Sequence, residues 1–135
     1  MGDSPTSRLA SYAHSISYEK LPKTVIEKAK MCILDTLACV LQGSKGKEFL
    51  KMSSALQLLD HGDEPVWGTS IRTSRQNALM LQASMAHSTE YDDSHKQSKT
   101  HPGAVIIPAA LTAGRIRGSL NGRQLIEAIV AGYEI

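Results

Sequence analysis

Pro22-Lys23-Thr24-Val25-Ile26-Glu27-Lys28-Ala29-Lys30-Met31-Cys32-Ile33-Leu34-Asp35-Thr36-Leu37-Ala38-Cys39-Val40-Leu41-Gln42-Gly43 is the stretch that decides the fold class. Val25, Ile26, Ala29, Ile33, Leu37, Val40 and Leu41 recur at steps of three and four, the spacing of one face of an α-helix. Cys32, Thr36 and Cys39 fill the flanks of that stripe. Pro22 stands where a helix begins and where its missing N–H would have had no partner. Gly43 stands where a helix ends. A stripe this long and wide predicts a helix at the centre of the fold.

Outward from it, the same period recurs. Leu9, Ala10, Ala13 and Ile16 predict a short helix over 6–17, followed by a polar connection from Tyr18 to Leu21. Phe49, Leu50, Met52, Ala55, Leu56 and Leu59 predict another over 46–60, broken at His61-Gly62-Asp63. Glu64 to Thr73 reads as an extended or looped piece around Val66-Trp67-Gly68, and Ser74 as the N-cap of a helix over 75–89. Ala104 to Arg115 is apolar nearly all round, which predicts a buried helix, with Pro108 kinking it or marking its first turn. Asn121 caps a last helix from Gly122, with Leu125, Ile126, Ile129, Val130 and Tyr133 on its face. That pattern reaches Ile135 with no stop signal, so an incomplete sequence is expected. The expected class is all-α, with one short extended piece near Trp67.

Composition agrees with packed helices. Of 135 residues, 41% are hydrophobic and only 4% aromatic, so the core must be aliphatic. A net charge of +2, scattered rather than striped, gives no nucleic-acid surface. The N-terminus lacks a basic region followed by an apolar run, and nothing approaches the roughly 18 apolar residues of a membrane span. Met1-Gly2 is a poor myristoylation signal beside Asp3 and Pro5. The expected setting is the cytoplasm or, in a eukaryote, the mitochondrial matrix. Cys32 and Cys39, two turns apart on one helix, read as free buried thiols.

Chemistry concentrates between His87 and His101. This polar stretch without periodicity holds His87, His95 and His101, the carboxylates Glu90, Asp92 and Asp93, Lys96 and Lys99, and the hydroxyls of Ser94 and Ser98. Imidazole moves protons near neutral pH, a neighbouring carboxylate can orient it or act as a base, and Lys and Ser can hold a substrate carboxylate. Loops hung between buried helices are where such groups collect. The cluster also admits an exposed surface loop, or a metal site in which His87 and Glu90 are joined by Asp93, His95 or His101, although the spacing matches no strong metal motif.

His87-Ser88-Thr89-Glu90-Tyr91-Asp92-Asp93-Ser94-His95, followed by Thr100-His101-Pro102-Gly103-Ala104-Val105-Ile106-Ile107-Pro108-Ala109-Ala110-Leu111, resembles the signature of the MmgE/PrpD family. Ile33-Leu34-Asp35-Thr36-Leu37-Ala38, Val66-Trp67-Gly68-Thr69 and the helix from Gly122 to Glu134 resemble three further family segments, in family order, over residues 7–135. The resemblance implies the N-terminal part of a large helical domain, with residues 1–135 a partial domain and the family's smaller α+β lid outside them. It implies a cofactor-independent lyase or epimerase acting on small di- or tricarboxylates, with no metal, working as a homodimer when complete. 2-Methylcitrate dehydratases, cis-aconitate decarboxylases and iminodisuccinate epimerases are members.

Carried over position by position, the resemblance implies catalytic roles for His101 and Asp93, and substrate binding by Glu90, Ser94 and His87. Glu90 stands where the family usually has Asp, Gln82-Ala83 where it often has Asn-Gly, and the loop from Ser94 to His101 is a residue longer than in the decarboxylase branch. A fragment of this kind is expected to be inactive alone. Two other functions remain open from the residues: a non-catalytic helical interaction or dimerisation module, and a metal-binding helical domain.

Overall fold

Ser4 opens the first element of the computed structural model, which describes residues 4–135. Its hydroxyl accepts the N–H of Ser7, and helix α1 runs from Pro5–Ser15. After a 3-10 turn at Tyr18–Lys20 come α2 (Lys23–Gly43) and α3 (Lys47–Gln57). A two-stranded antiparallel ribbon follows, β1 (Glu64–Pro65) against β2 (Arg72–Thr73). It leads into α4 (Arg75–His87), α5 (Pro102–Arg117) and α6 (Gly122–Glu134). Among the described residues no helix is long and apolar enough to cross a membrane.

The helix ends follow local chemistry. Ser74 accepts the N–H of Asn77 and starts α4. Asn121 and Gln124 exchange side-chain-to-backbone hydrogen bonds in a capping box that starts α6. Gly118, in the left-handed region at φ 73°, closes α5. Pro108 is buried inside α5, which continues through it, so Pro102 and not Pro108 occupies the first turn.

Helix α2 is central, packing on α4, α5 and α6, but its buried line differs from the one its strongest apolar residues predict. Ala29, Cys32, Thr36, Cys39, Val40 and Gly43 are buried, whereas Leu34 and Leu41 are exposed. Small residues win that face because three helices crowd it. Gly43 shows the reason at close range: a Cβ there would stand 2.1 Å from the Met85 carbonyl oxygen. The glycine that ends α2, as expected, is therefore also a helix-crossing point, where α2 and α4 meet backbone to backbone.

Two cores form along α2. Toward its C-terminal end, Val40 packs with Phe49, Leu56, Val66, Leu81 and Met85. Toward its N-terminal end, Ala29 and Cys32 pack with Ile107, Ile126, Ile129 and Val130. Glu64, mostly buried, ties the ribbon across both helices, with Arg115 of α5 at 2.6 Å and Arg75 of α4 at 3.9 Å. Both cysteines are free and buried. Burial, with Asp35, Asp92 and Asp93 adding to it, pushes the Cys39 thiol up.

One expectation is corrected. Helix α5 is not buried all round: Val105 and Ile116 are 67% and 58% exposed, because neighbours cover only one side of it. Helix α1 forms as expected but has no fully buried residue: Leu9 is exposed, Ala13 is half-buried, and Ile16 just past its end packs against the second core.

Gly43→Ala should lower stability by about 1–3 kcal/mol, the usual cost of forcing atoms into a packed contact. Chemical denaturation of the purified protein measures this. A change within experimental error would mean that α2 and α4 can separate at no cost.

Candidate active site

The site lies where the C-terminal end of α4 faces the N-terminal end of α5. His87 is the last residue of α4, a position where the helix dipole favours an imidazole. His101 is the residue just before α5 and makes no side-chain cap to it. The loop between them brings the two rings to a centroid distance of 4.5 Å with planes inclined at 61°.

Asp92 sits beneath both rings with its side chain 0% exposed. Its oxygens lie 3.2 and 3.1 Å from His87 Nδ1. One of them also lies 3.3 Å from His101 Nδ1. That second contact has the distance of an ion pair but not the alignment of a hydrogen bond, and His101 Nδ1 is buried with no other partner. On its far side, His87 Nε2 is 3.5 Å from a Glu90 carboxylate oxygen.

Asp93, one residue on, faces another way. Its Oδ1 accepts the N–H of Gly103 at 2.9 Å, so it supplies the cap to α5 that His101 does not. Its Oδ2 accepts the Tyr133 hydroxyl at 2.8 Å, tying in α6. Burial, and then the hydrogen bond to Asp93, push the Tyr133 phenol far above its ordinary value of 10.0, so it remains a donor. A Cβ on Gly103 would lie 2.6 Å from Asp93 Oδ1, 2.7 Å from Thr36 Oγ1 and 2.9 Å from the Tyr133 hydroxyl.

A cleft of about 930 Å³ opens over the imidazole pair, lined among others by His87, His95, His101, Val105, Ile106 and Tyr133. On its rim the segment from His95 to Thr100 is closed by a β-bridge, and His95 Nδ1 lies 2.7 Å from the Ser98 hydroxyl. The loop is thus more ordered than its lack of periodicity suggests. Glu90 and Lys99 both hold left-handed φ angles, 55° and 54°, a conformation costly for residues with side chains.

Residues 7–135 match the MmgE/PrpD N-terminal domain. The chain belongs to the MmgE/PrpD family. Among its relatives, the cis-aconitate decarboxylase of Aspergillus terreus is 26% identical over 134 residues, covering 96% of this chain and 27% of that protein. The human cis-aconitate decarboxylase is 28% identical over 135 residues, covering 96% and 28%. A cis-aconitate decarboxylase-like protein, oryM, of Aspergillus oryzae is 26% identical with the same coverage as the human protein. The chain thus spans just over a quarter of the length of these relatives.

Of the positions that the MmgE/PrpD signature singles out, His87 and His101 line the cleft together. Glu90 stands beside His87 but is exposed and does not line the cleft, and Ser94 is exposed. Both Asp93 oxygens are engaged within the fold. The central acid is Asp92, which the sequence offered only as one carboxylate among three. Its place in an Asp-Asp pair gave no hint of which side chain would turn toward the imidazoles. Tyr133 was read only as a helix-face residue, and its hydroxyl contact forty positions away has no local signature.

Tyr133→Phe should cost about 1–3 kcal/mol near neutral pH by leaving Asp93 Oδ2 without its donor. It should also flatten the alkaline limb of stability. A phenol whose folded value is raised contributes stability that is complete below its unfolded value near 10.0 and lost as pH rises past it. Urea melts between about pH 7 and 11 test both parts, and identical pH profiles for the two proteins would remove the buried-donor role.

Proposed function

We propose that this chain carries the N-terminal share of the active site of a cofactor-independent enzyme. The enzyme moves a proton at the carbon beside a carboxylate of a small di- or tricarboxylate. The supporting observation is the pair of imidazoles at the mouth of one cleft, over a shared buried carboxylate. The relatives' names favour cis-aconitate as the first acid to test, and 2-methylcitrate and amino-dicarboxylates follow from the family's range.

His101 is the proposed acid–base group. In a decarboxylation the bond to the departing carboxylate breaks, CO2 leaves, and the electron pair left on carbon takes a proton from the imidazolium. In a dehydration the neutral ring takes the proton from carbon while another acid protonates the leaving hydroxyl. Epimerisation needs a proton removed on one face and delivered on the other. Ser94, Glu90 and His87 are proposed to hold substrate, and Asp93 to keep the α5 end of the site in place for catalysis. The rest of the relatives' length has room for the further groups such a site needs, and for the lid and dimer contacts.

A second reading has one observation behind it. Ligand atoms of His87, Asp92 and His101 all lie within 4.8 Å of one another. Two imidazoles and a carboxylate suit zinc or ferrous iron. The grouping differs from the one the sequence suggested, because Asp93 faces Gly103 and Tyr133 while His95 faces Ser98.

In the full-length protein, His101→Gln should reduce kcat by about 100-fold or more while leaving the melting temperature nearly unchanged. Solvent deuterium entering at the α-carbon of each candidate acid gives the activity readout. Near-normal turnover in that variant removes His101 from the mechanism. Metal analysis of the same active preparation separates the two readings: stoichiometric zinc or iron, lost with Asp92→Ala, supports the metal site, and full activity in metal-free protein excludes it.

A further inference from the structure

The buried carboxylate of Asp92 has a role that the proton-transfer reading leaves unassigned. A carboxylate taken out of water needs hydrogen-bond donors or positive partners, or it destabilises the fold. Two nitrogens approach it, Nδ1 of His87 at 3.1 Å and Nδ1 of His101 at 3.3 Å. Both imidazoles therefore present the same ring nitrogen to the same acid.

A neutral imidazole carries one proton, on either nitrogen, and the partner of one nitrogen decides the state of the other. A carboxylate accepts and does not donate, so a ring facing it by Nδ1 keeps its proton there. Nε2 is then left as a lone pair. For His101 no competing acceptor is present among the described residues: Nδ1 makes no hydrogen bond and has only the Asp92 oxygen at 3.3 Å, and the side chain remains 29% exposed along the cleft. His87 differs, because the Glu90 carboxylate stands 3.5 Å from its Nε2.

We propose that Asp92 is a positioning residue: it holds His87 by Nδ1, faces Nδ1 of His101 at 3.3 Å, and by its charge keeps the proton of the neutral His101 ring on Nδ1, so that Nε2 is the atom that exchanges protons at the cleft. The role rests on the proton-transfer reading of the site. Asp92 itself touches no substrate. It selects which nitrogen of His101 does, and its burial makes that selection firm, because no water reaches the carboxylate to compete for it.

The test uses the full-length protein labelled with 15N in its histidine rings. Long-range proton–nitrogen spectra distinguish the two neutral tautomers, with His101→Gln and His87→Gln assigning the signals. In the wild type, His101 is expected in the Nδ1–H form. In Asp92→Asn and Asp92→Ala it should move toward the Nε2–H form. A wild-type His101 in the Nε2–H form overturns the proposal, and that measurement needs no variant to fold.

The kinetic arm separates positioning from a merely structural role. Asp92→Asn keeps the volume of the side chain, and should lower kcat by about 100-fold or more with KM nearly unchanged, as expected for a base offered in the wrong tautomer. Unchanged kcat, or an unchanged tautomer beside a large loss of melting temperature, counts against it. If no acid is turned over by the wild type, the proposed reaction fails, whereas the tautomer result still decides what Asp92 does.

Discussion

The grip of Asp93 on the Gly103 N–H and the Tyr133 hydroxyl is the constraint on which the rest of the structure depends. Three helices meet there. The bond to Gly103 satisfies an N–H at the start of α5 that no intrahelical carbonyl could reach. The bond to Tyr133 draws α6 against the same point. The contact is possible only because position 103 lacks a side chain, since any Cβ would enter the space held by Asp93, Thr36 and Tyr133. His101 inherits its position from this clasp, two residues before the anchored N–H. The polar layer lies between the two apolar cores, at the level of Thr36 on α2, where a misplaced polar group would be costly.

Neighbouring acids divide the work. Asp93 faces α5 and α6, and Asp92 faces the imidazoles. Both add negative potential at α2, where they help burial to raise the Cys39 thiol. An anionic ligand could not approach such a surface unless something offset it. The imidazole pair lies between Asp92 and the cleft and is placed to do so. The N-terminal end of α5 contributes positive potential of its own, although the Asp93 carboxylate already occupies its first turn. The geometry thus combines buried negative charge with imidazoles at the cleft.

The rim of the cleft is built differently from its floor. Helix ends and a buried carboxylate fix His87 and His101. His95 and Lys99 lie on a turn held by one bridge and a few hydroxyl contacts, Glu90 and Ser94 lie on the exposed loop before it, and both Glu90 and Lys99 are left-handed. Such a segment opens at low free energy compared with the packed helices. Shape at the rim can therefore change without disturbing the two rings.

Sequence alone determined the helical class, because hydrophobic period is a local property and every apolar stripe in this chain repeats at helical steps. It also determined the caps at Ser74 and Asn121, the free cysteines and the segment where the chemistry gathers. Ordered motifs gave the family. Tertiary structure decided which helix faces are buried. On α2 it buried the flanking Cys32, Thr36 and Cys39 together with Gly43 and left Leu41 exposed, since close crossings reward small side chains. It also decided that Gly43 marks a crossing, and that Asp92 rather than its neighbour meets both imidazoles. A side chain's direction in an aperiodic loop depends on partners distant in sequence, and no local pattern encodes it.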